Sequence, residues 1–273
     1  MREIRLIILG LIAGVFILGC KKEEEDYNTV DYKIDFNCPD VIKNRNEYTI
    51  NSIIENEEEI NTVELFLNGK SVEKKFTKPF SFNITFKDLM TGEHRFIMEA
   101  TTKNGITINS DEKKFIFSVS LGDEYQGGIV VKTDGDGLHG IIASKSDLKG
   151  GVLGKYQYGL YNGNYQSYSM DDGLENTNKF KGKSDDNFAA IACLNLEHNG
   201  YNDWYLPAYN EMEYIKNFED ILIQYRLSNL YWTSTLRNDN THAEIYPFGE
   251  RYAYSISDLD VQKYHYVKPC RRF

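Results

Sequence analysis

Apolar and polar residues alternate through the part of the chain that follows residue 31. The apolar positions recur at every second residue in three successive stretches: Val63, Leu65 and Leu67; Phe80, Phe82, Ile84 and Phe86; and Phe96, Met98 and Ala100. A period of two is typical of strands that bury one face. About seven short strands without a helical stretch predict an all-β antiparallel sandwich over residues 32–120.

Two Asn-Gly pairs punctuate this predicted sandwich. Asn68-Gly69 and Asn104-Gly105 each lie between two strand-like stretches. A type I′ turn needs positive φ at both central positions, which Asn and Gly tolerate best, so each pair predicts a hairpin. Cys38 has no second cysteine in this part of the chain. We expect it to be a small buried hydrophobic residue and not a reactive thiol.

The pattern changes after Leu121, where glycine and tyrosine become frequent and helix-compatible stretches first occur. Residues 127–133 and 138–143 predict the two strands of a hairpin around Asp134-Gly-Asp-Gly137. This Asp-Gly cluster lacks the third ligand and the later acidic residue of an EF-hand loop. It therefore predicts a turn and no metal site.

Helical spacing follows in the second part. The apolar positions between Phe188 and Leu196 predict a helix that ends at Asn199-Gly200, and a second helix is predicted to begin near Tyr209. Strands mixed with helices predict a separate α+β domain over residues 121–273.

The N-terminus has the layout of an export signal. Arg2 and Arg5 supply positive charge, and the run from Leu6 to Gly19 is uncharged. This run is shorter than the roughly 20 residues that a membrane-spanning helix needs, which favours a cleaved signal at residues 1–19 over a transmembrane anchor. Ile17-Leu-Gly-Cys20 resembles the lipobox of bacterial lipoproteins. The resemblance implies that Cys20 carries lipid and tethers the chain to a membrane.

A charged segment follows Cys20. Residues 21–26 read Lys-Lys-Glu-Glu-Glu-Asp, and we expect residues 20–31 to be a solvated tether. The segment is similar to the acidic sorting signal of surface-exposed lipoproteins in Bacteroidota, although two lysines come first. This implies the outer membrane, with exposure at the cell surface. A plain spacer is the alternative.

The overall charge excludes one class of partner. The net charge is −10, and the signal contributes +1 through Arg2, Arg5 and Glu3, so the remaining chain carries −11. A nucleic-acid partner is not expected, because phosphate binding needs a basic face.

Two families resemble successive parts of the chain. The segments 63–70, 78–82 and 92–96 are similar to bacterial Ig-like domains of surface proteins, which implies a spacer. Gly200-Tyr-Asn-Asp-Trp-Tyr-Leu-Pro-Ala-Tyr-Asn-Glu-Met212 resembles the core of the C-terminal domain family of the Legionella collagen-like adhesin. The segments 125–130, 139–143, 231–235 and 267–272 support this in the same order. The resemblance implies an α+β C-type lectin-like fold.

This motif also has a physical interpretation. Trp204, Leu206 and Pro207 turn the chain into the second helix, and Glu211 lies where a capping box places its carboxylate. Ala208 stands where the family has Ser or Thr, which removes one side-chain acceptor at a cost of about 0.5–2 kcal/mol. We expect Trp204, and likewise Trp232 further on, to be core residues.

The C-type lectin-like resemblance implies a disulfide between Cys193 and Cys270. In that fold such a bond joins the first helix to the last strand, and exported domains keep their disulfides. The chain-entropy estimate for a loop of this size is about 4 kcal/mol. Two free thiols are the alternative.

No catalytic motif is evident in the sequence. The five histidines show neither His-Glu-x-x-His spacing nor a neighbouring Gly-x-Ser-x-Gly elbow: His94, His139, His198, His242 and His265. We therefore expect no enzyme and no cofactor. The Glu-Pro-Asn and Trp-Asn-Asp calcium motifs of sugar-binding lectins are also missing from the sequence, so the resemblance implies the fold more firmly than a lectin activity.

Binding is the remaining class of function, and its candidate residues lie late in the chain. Lectin-like folds bind through long late loops, and tyrosine beside charged groups suits sugar or peptide surfaces. The candidates are Arg237, Asn238, His242, Glu250, Arg251, Tyr252 and Tyr254. The tyrosines are equally compatible with ordinary strands.

Three hypotheses follow for the function. The first is a non-catalytic adhesion module for a glycan or an extracellular protein. The second is a structural or assembly component of the envelope, and the third is an unrecognised surface hydrolase or oxidase that would depend on His242 or Glu250.

Overall fold

The computed structural model describes residues 32–44, 47–86, 89–183, 187–223, 229–249 and 256–273. The signal, Cys20 and the charged tether lie outside the described residues. Within the described ranges, no helix has the length and apolar character that a membrane crossing requires.

The first part of the chain is built from strands. A 3₁₀ turn at Glu57–Glu59 separates the third strand from the fourth. The strands are β1 (Ile34–Phe36), β2 (Val41–Lys43), β3 (Tyr48–Ile54), β4 (Ile60–Leu67), β5 (Lys70–Lys75), β6 (Ser81–Ile84), β7 (Gly92–Thr102), β8 (Thr107–Asn109) and β9 (Lys113–Ser118).

These strands form two sheets that share one core. The first sheet has the order β1-β3-β6, and the second has the order β2-β9-β7-β4-β5 with β8 beside β7. The pairs are antiparallel except β2 with β9, which is parallel. Apolar side chains from both sheets meet in one cluster, among them Phe36, Ile50, Phe82, Leu65, Met98 and Phe115. The predicted β-sandwich is confirmed, but the prediction that it is antiparallel is wrong for the pair of β2 with β9.

The two Asn-Gly pairs adopt different turns. Asn68 and Gly69 both have positive φ, 51° and 77°, and join β4 to β5 as a type I′ turn does. Between β7 and β8 positive φ occurs at Gly105 (86°) and not at Asn104, and Gly105 N donates to Thr102 O at 3.0 Å. Both predicted hairpins are confirmed, but the turn type predicted for the second is wrong.

The second part mixes short strands and helices. A second 3₁₀ turn lies at Ile256–Leu259. The remaining elements are β10 (Glu124–Tyr125), β11 (Gly128–Thr133), β12 (Gly140–Ser144), α1 (Gly173–Asn178), α2 (Ala189–Leu194), α3 (Tyr209–Lys216), α4 (Glu219–Leu222), β13 (Asn229–Leu236), β14 (Ala243–Phe248) and β15 (Cys270–Arg272).

An antiparallel sheet with the order β10-β11-β12-β15 brings the last strand beside the start of this part. The predicted β11–β12 hairpin is confirmed, and β13 pairs with β14 in a separate hairpin. The helix predicted to end at Asn199-Gly200 is shorter than expected, because α2 ends at Leu194. Asn199 and Gly200, with φ of 52° and 80°, instead form a tight turn between His198 and Tyr201.

The sandwich core continues into the second part. Tyr125 lies with its ring centroid 6.3 Å from that of Phe117 and 5.4 Å from that of Phe273, and its hydroxyl donates to Leu89 O at 2.8 Å. Val130 and Ile142 belong to the same buried cluster. The predicted boundary near residue 120 therefore divides the elements but crosses a continuous apolar core.

The backbones of the two parts also lie in contact at this junction. Val119 N donates to Gly137 O at 3.0 Å, and Gly137 has φ of 75°. A Cβ atom at Gly137 would lie 2.2 Å from Val119 O, so no other residue fits without backbone movement.

Candidate functional site

The connection between β13 and β14 holds the first three binding candidates. Arg237 N donates to His242 O at 2.8 Å, which closes the loop at its base. The Arg237 guanidinium makes two bonds to the Glu244 carboxylate, at 2.7 and 3.1 Å. A bidentate pair of this kind fixes the direction of the guanidinium as well as its charge. Asn238 lies exposed at the tip of this loop.

Asp239 and His242 form a second pair in this loop. His242 Nδ1 lies 2.7 Å from Asp239 Oδ2 and 2.8 Å from Thr241 Oγ1. Partial burial opposes ionisation of Asp239, but hydrogen bonds from the Thr241 and His242 backbone and from the His242 ring lower the pKa of Asp239 to about 2. Asp239 is therefore a carboxylate at neutral pH, and it orients the His242 ring through Nδ1.

A tyrosine from an earlier segment joins this loop. Tyr168, which is 39% exposed, donates its hydroxyl to Asn240 Oδ1 at 2.7 Å. Nothing in the sequence signals this contact, because the partners are 72 positions apart. We call Tyr168, Arg237, Asn238, Asn240 and His242 the late-loop face.

The other four binding candidates lie outside the described residues: Glu250, Arg251, Tyr252 and Tyr254. They remain predictions.

The residues of the Trp-x-Leu-Pro motif are buried. Trp204 and Trp232 are 1% and 0% exposed, and Leu206 and Pro207 are also buried. Each indole N–H has a backbone acceptor, Tyr201 O for Trp204 at 3.1 Å and Tyr156 O for Trp232 at 2.8 Å. The prediction that both tryptophans are core residues is confirmed.

Glu211 organises the start of α3 from inside the core. Its carboxylate accepts hydrogen bonds from Ala208 N (2.9 Å), Gly173 N (3.1 Å) and the Tyr205 hydroxyl (3.1 Å). This is the carboxylate half of a capping box, as predicted. Burial raises the pKa of Glu211, although these donors oppose the shift.

The acceptor that Ala208 cannot supply comes from elsewhere. Tyr209 N donates to Thr235 Oγ1 at 3.1 Å, and Asn210 N donates to Met170 O at 2.9 Å. The predicted loss of a cap partner is therefore compensated by tertiary contacts.

The disulfide implied by the resemblance is wrong for this structure. Cys193 and Cys270 are free thiols among the described residues, and both are fully buried. Cys193 packs in the cluster of Trp232, whereas Cys270 packs in that of Tyr205. Burial raises the pKa of both thiols, and for Cys270 the charge of Glu211 adds to this shift. A protonated buried thiol packs as a small apolar side chain.

Cys38 is only partly buried at the edge of the sandwich core. Burial raises the pKa of this thiol too, against the nearby charge of Lys113. The expectation of an unreactive apolar cysteine agrees with this environment.

An internal ion pair was not evident from the sequence. The fully buried Lys268 places Nζ 2.6 Å from Asp147 Oδ1 and donates to Leu222 O at 2.5 Å. Tyr231 donates its hydroxyl to Asp147 Oδ2 at 2.8 Å. Burial lowers the pKa of Lys268, and Asp147 opposes the shift. The alternation pattern does not reveal a buried lysine, because that pattern treats charged residues as solvent-facing.

The Asp-Gly cluster forms a turn, as predicted. Asp134 Oδ1 accepts from Leu138 N and His139 N, at 3.0 and 3.2 Å. Across the part of the chain that the structure describes, no group of three or more His, Cys, Asp or Glu side chains is arranged to hold a metal ion.

A concave region lies where the two parts of the chain meet. This junction cleft has a volume of about 600 Å³. Its lining combines residues of the sandwich, the β10–β11 hairpin and the 198–201 turn: Asn44, Phe86, Gly122, Asp123, Glu124, Tyr125, Gln126, Gly127, Asn199 and Tyr201.

Arg271 lies behind the cleft and holds two of its residues in place. Its guanidinium lies 3.9 Å from the centroid of the Tyr201 ring and donates to Gln126 Oε1 at 2.5 Å. Two further bonds, at 2.7 and 2.9 Å, join it to the Asp203 carboxylate.

Comparison with known proteins gives partial alignments with solved structures at low similarity. No protein family and no curated protein matches the sequence. Fibronectin(III)-like modules of Clostridium thermocellum CbhA align with 32% of this chain and 98% of theirs, at 15% identity and a TM-score of 0.29.

Two larger proteins align more narrowly. The endo-β-1,4-mannanase of Thermotoga petrophila aligns with 34% of this chain at 12% identity and a TM-score of 0.27. The β-glucuronidase 3 of Bacteroides uniformis aligns with 41% at 16% identity and a TM-score of 0.26. The alignments span 21% and 14% of those two proteins.

Proposed function

We propose that this chain is an exported lipoprotein, held by lipid on Cys20 at the outer membrane, that presents a non-catalytic binding module at the cell surface. Residues 32–120 act as an Ig-like spacer, and residues 121–273 form a C-type lectin-like domain that binds a glycan or a protein. The late-loop face is the observation that carries the proposal.

Neighbouring carboxylates hold two side chains of the late-loop face in place. Arg237 pairs with Glu244, and the His242 ring is hydrogen-bonded to the Asp239 carboxylate. The hydroxyl of Tyr168 and the amide of Asn238 add donors and acceptors at the surface. A polar face with fixed hydrogen bonds suits a ligand recognised through hydroxyl or amide groups.

A non-catalytic role agrees with how the buried ionisable groups are used. Glu211 accepts three hydrogen bonds that hold the start of α3, and Lys268 binds Asp147 and a backbone carbonyl. Their shifted pKa values therefore accompany a structural function, which perturbed groups also serve.

The lectin-like assignment is supported by the position of the motif residues. Trp204, Leu206 and Pro207 form a buried entry to α3, and β15 returns beside β12. Both features agree with the compact α+β unit that the resemblance implies.

The test is binding of the full chain carrying Cys20→Ser, which blocks lipidation, to an array of glycans and extracellular-matrix proteins. Arg237→Ala and Tyr168→Ala should weaken saturable binding about tenfold, because each removes a fixed polar contact. The matched control is Arg95→Ala, which breaks an exposed pair with Glu112 on the sandwich.

Unchanged binding in both late-loop variants would remove the late-loop face from the proposal. No binding on the array would favour an envelope-assembly role. Turnover of an arrayed glycan that is lost in His242→Ala would show a hydrolase and contradict the proposal.

A further inference from the structure

The walls of the junction cleft are fixed by hydrogen bonds from both parts of the chain. Asn44 Nδ2 donates to Glu124 O at 3.0 Å, which links the sandwich to β10. Asn199 Nδ2 donates to Gly127 O at 3.3 Å, which links the 198–201 turn to the same hairpin. Tyr125 is anchored in the sandwich core beneath them. The cleft is therefore preformed, which lowers the entropic cost of binding.

Polar side chains contribute to the lining of the cleft. Asn44 and Asn199 each direct Nδ2 to a backbone carbonyl. Gln126 donates to the Tyr125 hydroxyl and accepts from Arg271. Asp123 and Glu124 contribute carboxylates, which only accept when ionised. Among the described residues, no Lys, Arg or His is part of the lining, and the Arg271 guanidinium that contacts Tyr201 and Gln126 is paired with Asp203.

The two carboxylates of the cleft have different partners. Glu124 Oε2 lies 3.1 Å from Lys145 Nζ in an exposed pair. Asp123 Oδ2 accepts from Ser120 N at 2.8 Å, a contact that orients the carboxylate and does not neutralise it. The chain as a whole carries −10, so its field also attracts cations.

We propose that the junction cleft binds the basic side chain of a peptide, a Lys ammonium or an Arg guanidinium. The cation would take the carboxylates of Asp123 and Glu124 as acceptors, beside the aromatic rings of Tyr201 and Phe86. The volume of about 600 Å³ lies within the range of roughly 300–1,000 Å³ typical of small-ligand sites. This site is separate from the late-loop face and goes beyond the proposed function.

Lys145 provides an internal test of the proposal. Its ammonium already contacts Glu124, so it competes with an incoming cation for the same carboxylate. Lys145→Met should therefore tighten binding of a basic peptide, by about two- to fivefold for an exposed pair. Glu124→Gln should weaken it by about the same factor.

The experiment is a titration of the full chain carrying Cys20→Ser with end-capped Gly-Lys-Gly and Gly-Arg-Gly, followed by calorimetry or NMR. End-capped Gly-Gln-Gly and Gly-Glu-Gly serve as neutral and acidic probes. The matched control pair is Glu93 with Lys114, which is also exposed, at 3.0 Å. Glu93→Gln and Lys114→Met should leave the affinity unchanged.

The result expected is selective binding of the basic peptides, weakened by Glu124→Gln and by added salt and tightened by Lys145→Met. The proposal would be overturned by equal binding of Gly-Gln-Gly or by no binding of either basic peptide. Methyl glucoside serves as a sugar probe, and its binding in place of the basic peptides would also overturn the proposal. Weaker binding in Lys145→Met would do so as well. All variants replace exposed side chains, and thermal unfolding of each checks that it is folded.

Discussion

Glu211 shows at the scale of one residue how burial and hydrogen bonding compete. Burial raises its pKa, although the N–H groups of Ala208 and Gly173, the Tyr205 hydroxyl and the charge of Arg272 favour the carboxylate. The folded protein therefore keeps this proton at pH values where the unfolded chain, with a pKa near 4.5, has lost it. The contribution of Glu211 to the free energy of unfolding falls as the pH rises from 4.5 through the folded pKa.

Glu211→Gln removes this titration. We expect the variant to be less stable than the parent by about 1–3 kcal/mol at low pH, because one buried acceptor is lost. The difference should shrink as the pH rises, since only the parent loses stability in that window. Denaturant unfolding at a series of pH values measures it, with the exposed Glu175→Gln as control. A difference that grows with pH would contradict the assigned direction of the shift.

Single residues of the candidate site were predictable by type but not by partner. The sequence marked Arg237 and His242 as polar loop residues, and both lie in the β13–β14 connection. Their partners Glu244 and Asp239 depend on the loop's path, and the approach of Tyr168 to Asn240 depends on tertiary packing. Amino-acid spacing carries no information about a contact of this kind.

At the scale of one element, the start of α3 shows how tertiary contacts can replace a missing helix cap. Local sequence rules predict an incomplete cap at Ala208, but Asn210 N already donates to Met170 O at 2.9 Å. Thr235 Oγ1 accepts from Tyr209 N and donates to Ser169 O at 2.8 Å. Ala208→Ser should therefore add less than about 0.5 kcal/mol, below the usual gain of an N-cap serine. Thr235→Val should cost about 1–3 kcal/mol, because it leaves buried polar groups without their partner.

Denaturant unfolding of the two single variants and the double variant checks this. The two effects should be additive, because an N-cap serine accepts from the second or third N–H of the helix, whereas Thr235 accepts from the first, Tyr209 N. A gain of 1 kcal/mol or more from Ala208→Ser alone would mean that the bond from Asn210 N to Met170 O does not satisfy the start of the helix.

Elements set by local pattern were predictable, and elements set by tertiary contacts were less so. The alternating stretches gave strands β4, β6 and β7, because their period of two follows from one buried face. The end of α2 was placed too late, since Asn199-Gly200 serves equally well as a helix stop or as a tight turn. The pairing of β15 with β12 joins distant parts of the chain and has no local signal.

At the scale of the whole molecule, the two predicted domains are joined by more than a linker. The sequence change near residue 120 marks where the elements change in type, but composition cannot show that Tyr125, Val130 and Ile142 complete the sandwich core. Packing across the boundary arises from the path of the β10–β11 hairpin, whereas the sequence predicted only the β11–β12 strand pair. The junction cleft, which depends on this packing, was correspondingly not predicted.

A shared core predicts that the two parts unfold together. Calorimetry of the full chain carrying Cys20→Ser should show one transition, because unfolding either part exposes the Tyr125 cluster. Tyr125→Ala removes the ring that contacts Phe117 and Phe273 and the bond to Leu89 O, so it should lower the midpoint and split the transition in two. Tyr158→Ala, in the separate core around Trp232, is the matched control: it should destabilise its own part without freeing the sandwich from Tyr125. Two transitions already present in the parent would mean that the junction contributes too little free energy to couple the unfolding of the two parts. The shared core would then not hold the junction cleft in a fixed shape.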